Sequence, residues 1–123
     1  IIVKVGIIRC MQTEDYCPGT ADFKAIWERK GAFCDVPEGE SIEIVGFCNC
    51  GGCPGKKAFF RARKLVDAGA DTIAFASCIQ KGTPIGYPCP FAKKMQDIVS
   101  KNIGDSIKIL SYTHESPIEK QKN

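Results

Sequence analysis

Four short apolar runs rich in β-branched residues alternate with helical patterns along the chain, and that alternation limits the fold more than any other feature. The runs are Ile1–Ile8, Ile42–Phe47, Thr72–Ala76 and Ile107–Leu110. Nearly continuous stretches of this kind suit strands of a parallel sheet covered on both faces. Between them, apolar residues recur at helical spacing within 22–30, 55–68 and 91–101, as in Phe59, Ala62, Leu65 and Val66, or Phe91, Met95, Ile98 and Val99. Strand alternating with helix over 123 residues predicts a single three-layer α/β domain. About four parallel strands joined by right-handed crossovers are expected, in a flavodoxin-like sheet with helices on both faces. The domain is expected over 1–114, with a polar tail at 115–123.

Sheets of this type hold their ligands outside the carboxyl ends of the strands, near the point where strand order reverses. Seven of the eight cysteines, and the one histidine, map to that edge. Cys10 ends the first run; Cys48, Cys50 and Cys53 follow the second; Cys78 follows the third, and His114 the fourth. Cys17 lies in the first strand-to-helix loop, and Cys89 just before the third helix, so both can reach the same face. Cys34, between the first helix and the second strand, belongs at the other end and is expected to be a buried or incidental thiol.

The chain does not need its cysteines for staples. At 44% hydrophobic and 25% charged it has the composition of an ordinary globular domain, and a domain this size buries roughly two-thirds of its unfolded surface. No run approaches the roughly 18 apolar residues of a membrane span, and the first strand lacks the layout of a signal peptide. The cytoplasm is the default location, and there clustered cysteines more often bind metal or do redox chemistry than form disulfides. A net charge of +3 is mild; the densest basic stretch, Lys56, Lys57, Arg61, Arg63 and Lys64, reads as a solvated helix face. No recognised nucleic-acid-binding module accompanies it, so nucleic acid is not an expected partner.

The richest motif is Cys48-Asn49-Cys50-Gly51-Gly52-Cys53-Pro54-Gly55. It follows a strand and leads into a helix, whose free amides and dipole favour thiolates. Gly51, Gly52 and Gly55 let the backbone turn tightly and approach a bound ion or ligand, and Pro54 suits a first helical turn. A phosphate-binding loop does not fit, because the four-residue spacing before Gly-Lys is absent and Lys57 replaces the Ser or Thr. A Cys-x5-Arg phosphatase loop fails as well, since Phe59 stands where the arginine belongs.

Three further segments supply donors. The stretch from Ser77 to Pro90 reads as a long Gly- and Pro-rich loop carrying Cys78 and Cys89, the latter between Pro88 and Pro90. His114 can ligate a metal or shuttle protons, with Glu115 placed to orient it. The first loop adds Cys10 and Cys17, and Thr20 or Asp22 is expected to cap the helix that follows.

In Cys17-Pro18-Gly19, Lys30-Gly31-Ala32-Phe33, Gly46-Phe47 ahead of Cys50-Gly51-Gly52-Cys53-Pro54-Gly55, Ser77-Cys78-Ile79, Pro84-Ile85-Gly86 with Cys89-Pro90, and Thr113-His114, the chain resembles the CGGC-domain family of small prokaryotic proteins. The resemblance covers nearly the whole chain. It implies metal binding, with zinc suggested, and implies Cys17, Cys50, Cys53, Cys78, Cys89 and His114 as ligands. Cys10 and Cys48 belong less securely to the family pattern, and Cys34 lies outside it.

The residues therefore predict a metal-binding protein holding zinc or an iron–sulfur cluster. The ligands are drawn from Cys10, Cys17, Cys48, Cys50, Cys53, Cys78, Cys89 and His114. Zinc wants four tetrahedral ligands, whereas clusters want thiolates almost exclusively. A cluster held by only three cysteines leaves an iron open to a small-molecule ligand or to sulfur chemistry. The alternative is a thiol–disulfide oxidoreductase using the Cys50/Cys53 dithiol. A metal chaperone or sensor uses the same ligands.

Overall fold

The computed structural model describes residues 2–82 and 88–114. The expectations placed on 83–87, on the tail at 115–123 and on Glu115 lie outside the described residues.

Four strands, β1 (Ile2–Arg9), β2 (Ser41–Asn49), β3 (Thr72–Phe75) and β4 (Lys108–Leu110), form one parallel sheet in the order β2-β1-β3-β4. The helices are α1 (Thr20–Glu28), α2 (Lys57–Asp67), α3 (Ser77–Gln80) and α4 (Ala92–Ile103). The chain passes from β1 to β2 on one side and then returns past β1 to β3, so strand order reverses between β1 and β3. This is the α/β architecture expected from the alternating pattern.

Successive residues of β2 show how the layers are arranged, because neighbours on a strand point to opposite faces. The Phe47 ring stacks on Phe23 of α1 with centroids 5.2 Å apart, whereas Gly46 faces Leu65 of α2. Thus α1 covers one face, and α2, packed against α4, covers the other. Leu65 seats itself over two glycines: a Cβ on Gly6 would lie 2.9 Å from its Cβ, and one on Gly46 would lie 2.3 Å from its Cδ2. Pairing shifts there by one residue, from Val5 opposite Ile44 to Gly6 opposite Gly46, leaving Val45 as the extra residue. Val5, Ile7, Ile8, Ile73 and Phe75 are fully buried at the centre of the core.

Several local expectations change. Helix α1 starts at Thr20, with Gly19 as its N-cap in a left-handed conformation (φ 87°) that neither Thr20 nor Asp22 supplies. Asp22 instead turns inward and is buried. Helix α2 starts at Lys57 because the residues before it form a turn closed by Gly55 N–H donating to Gly52 O at 2.7 Å. Pro54 therefore lies in that turn, after a cis peptide to Cys53, and outside the helix. The segment expected to be loop from Ser77 onward opens with α3. Among the described residues, no helix is long and apolar enough to cross a membrane.

Candidate metal centre

The carboxyl edge of the sheet places three cysteines side by side. The ladder between β1 and β2 runs one step past β2, with Cys50 N–H donating to Arg9 O at 2.7 Å, and the ladder to β3 is extended by Ala76 N–H to Ile8 O at 2.8 Å. Cys50, Cys10 and the start of α3 thus sit at the ends of adjacent strands. Across the crevice between β1 and β3, Cys10 N–H donates to Cys78 Sγ at 3.1 Å.

Cys89 is brought to the same edge by its own N–H, which donates to Ile79 O of α3 at 2.8 Å, and it lies within electrostatic reach of Cys10, Cys53 and Cys50. The Gly51-Gly52-Cys53-Pro54-Gly55 turn projects from this edge. Its three glycines have φ of 83°, 98° and 84°, a region closed to most side chains. Cys50 is buried while Cys53 is exposed, and all eight cysteines are free thiols.

Arg61 and Asn49 brace the turn. Asn49 Oδ1 accepts Gly51 N–H at 2.8 Å, and the Arg61 guanidinium donates to both Asn49 O, at 2.9 Å, and Asn49 Oδ1, at 2.5 Å. Arg61 thereby departs from the solvated face expected of its basic stretch. Cys48, half-buried on β2, lies on the α2 side near Arg61 and Cys50.

Burial dominates the thiol chemistry. Desolvation pushes Cys78, Cys48 and Cys89 above the ordinary cysteine value. Hydrogen bonds from Thr13 and the Cys10 amide oppose this at Cys78, the Arg61 charge opposes it at Cys48, and the Phe91 amide opposes it at Cys89.

Two of the expected donors are placed differently. Cys17 is half-buried and anchored through its backbone: its carbonyl accepts from Arg9, and its N–H donates to Thr13 O at 2.9 Å. His114 Nε2 stands 3.7 Å from Asp22 Oδ1, and the ring lines a groove together with Cys34. Cys34 itself, expected to be a buried or incidental thiol, is exposed.

Arg9, Asp22, Ser77 and Thr113 support this edge in roles that the sequence pattern did not predict, Asp22 being expected there only as a helix cap. Arg9, 5% exposed, reaches the Thr13 and Cys17 carbonyls and lies 5.5 Å from the centre of the Phe47 ring. Asp22 accepts from Thr113 Oγ1, and Ser77 Oγ accepts the Thr113 and His114 amides at 3.2 and 2.9 Å. Burial pushes the Asp22 carboxyl up, against the pull of Thr113, His114 and Arg9. Two signals were available: an arginine closing a strand that is apolar apart from Lys4, and an acid on the same helical face as Ala25 and Ile26.

Free thiols on neighbouring strand ends are a donor set whose chemistry fits a thiophilic metal. Among the described residues, no three Cys, His, Asp or Glu side chains already stand as a metal cage.

A parallel α/β domain with a Cys-Gly-Gly-Cys turn at the carboxyl edge of its sheet defines the class of protein. The CGGC domain model matches residues 4–114, and the chain belongs to that family. It is 39% identical over 95 residues to the uncharacterized protein MJ0582 of Methanocaldococcus jannaschii, covering 72% of this chain and 69% of that one. No solved structure matches. A CGGC domain with eight cysteines is compatible with metal binding.

Proposed function

We propose that the protein is a cytoplasmic metal binder that holds a zinc ion or an iron–sulfur cluster on cysteine thiolates at the carboxyl ends of its strands. Neither nucleic acid nor membrane is a partner in this reading. The observation that carries it is the convergence of Cys10, Cys50 and Cys78 on adjacent strand ends, with Cys89 tied to α3 beside them. Cys53, exposed on the turn, would complete the set. Gly51, Gly52 and Gly55 let the backbone of the turn come close to a bound metal. Cys17, Cys48 and His114 stand at the margin of this donor set. Four of the five central thiolates satisfy zinc, and three or four satisfy a cluster. A cluster on three leaves an iron open for sulfur or redox chemistry on a small molecule.

The test is anaerobic purification followed by a visible spectrum and analysis for zinc, iron and acid-labile sulfide. Stoichiometric zinc in colourless protein, or iron and sulfide with broad visible absorption, is the expected result. Protein that carries neither, and takes up neither zinc nor reconstituted cluster, overturns the reading.

One observation favours a second reading, a thiol–disulfide oxidoreductase. The exposed Cys53 and buried Cys50 have the asymmetry of an attacking and a resolving thiol. Cys53 attacks a substrate disulfide and releases one thiol; Cys50 then displaces the second, leaving a Cys50–Cys53 disulfide. Reductase turnover by metal-free protein supports this reading.

A further inference from the structure

The sulfur of Cys78 sits against the first loop, and the side chain that meets it there is Thr13. Met11–Thr13 forms a 3-10 turn directly after β1. The end of that turn is tied down: Thr13 O accepts the Tyr16 and Cys17 amides at 3.0 and 2.9 Å. The buried Arg9 guanidinium donates to the Thr13 and Cys17 carbonyls as well. Thr13 is thereby held fully buried, with its hydroxyl facing two acceptors. Oγ1 donates to Cys10 O at 3.0 Å, and it is also within hydrogen-bond reach of the Cys78 sulfur, which already accepts the Cys10 amide at 3.1 Å. A hydroxyl carries one proton, so the two acceptors compete for it. Cys10 O keeps a donor either way, because the Thr13 amide reaches it at 3.3 Å.

We propose that Thr13 is a positioning residue of the metal centre: with the Cys10 amide it forms a two-donor hole for the Cys78 sulfur, which makes Cys78 the anchoring thiolate. While Cys78 is a thiol, the Thr13 hydroxyl donates to Cys10 O. Metal binding takes the proton from the thiol and releases it to solvent. The hydroxyl then turns about its Cβ–Oγ1 bond and donates to the charged sulfur. Only a hydrogen moves, and no buried carbonyl is left unpaired. Buried as it is, the Cys78 sulfur draws these donors from the protein rather than from water. Hydrogen bonds to an ionised acceptor are the strong ones, and such outer partners orient a ligand and temper its charge. The inference rests on the metal-binding reading and deepens it by naming what prepares one of its ligands.

The test adds zinc or cobalt(II) alone to anaerobic metal-free protein, native and with Thr13→Val, which keeps the shape and loses the hydroxyl, or Thr13→Ser, which restores it. Thr13→Ala carries the same comparison if the valine variant does not fold. Zinc affinity, read by chelator competition, should fall about tenfold or more in Thr13→Val and recover in Thr13→Ser. The deciding readout is the sulfur-to-cobalt charge-transfer band. A sulfur that loses a hydrogen bond gives up its electrons more readily, so the band should move to longer wavelength in Thr13→Val and return in Thr13→Ser. A band that stays in place or moves the other way overturns the proposal, even where affinity falls, because a purely structural role lowers affinity without touching the band. Native protein that takes up neither zinc nor cobalt also overturns it, and if no iron–sulfur cluster can be assembled either, the metal-binding reading falls with it.

Discussion

The backbone N–H of Cys10 donates to the sulfur of Cys78 at 3.1 Å, joining the end of β1 to the start of α3 across the point where strand order reverses. Sixty-eight residues separate the two in sequence. The contact shows how a parallel sheet turns dispersed cysteines into one edge: the strands fix where each chain segment ends, and the crevice brings the ends together.

Leu65 should behave as the seam between α2 and the sheet. Leu65→Ala is expected to cost about 3 kcal/mol in urea unfolding. Gly46→Ala, which pushes a methyl into Leu65, is expected to cost about 1–3 kcal/mol. The double variant should cost less than the two combined, since the smaller side chain makes room for the methyl.

Ser77 is the hub tying the segment after β4 to α3. Ser77→Ala leaves the Thr113 and His114 amides without their acceptor, and each buried unpaired group costs about 1–3 kcal/mol. A stability loss of about 2–3 kcal/mol is expected, measured by thermal or urea unfolding.

Asp22 should impose a pH dependence of defined sign. Its folded pKa is raised above the ordinary 3.8, chiefly by burial. Below 3.8 both folded and unfolded states keep the proton and Asp22 carries no penalty. As pH rises from 3.8 through the raised folded value, the unfolded state loses its proton first and stability falls. Asp22→Asn, which keeps an oxygen acceptor for Thr113, should remove that decline from a series of unfolding curves against pH.

Arg61 is expected to act through the turn it braces. Arg61→Gln removes the donors to Asn49 and the charge that opposes the upward shift of Cys48. Supports of this kind are worth about 10–100-fold in metal affinity. Chelator competition with zinc should show a loss of at least about tenfold, while the fold, read by circular dichroism, persists.

The strand and helix pattern was legible because buried parallel strands are apolar on both faces, and the runs at 42–47 and 72–76 stand out against their surroundings. The placement of Cys10, Cys50 and Cys78 at or just past neighbouring strand ends was legible from the strand pattern. Local turn geometry was less visible: Gly19 takes the cap from Thr20 and Asp22 through a left-handed backbone, and the turn at Gly52–Gly55 delays α2 to Lys57. Least legible were polar groups buried by tertiary contact. Asp22 and Thr113 meet across 91 residues, and nothing near either in sequence announces the other. The placement of His114 beside Asp22 and Cys34 depends on that same contact.

The most direct test of the account is the metal content of single Cys→Ser variants, purified anaerobically beside the native protein. Loss of metal in Cys50→Ser, Cys53→Ser and Cys78→Ser, with native stoichiometry in Cys34→Ser, is the predicted result. Native metal content in all three of these variants, with each correctly folded, would contradict a centre built on the carboxyl edge of the sheet.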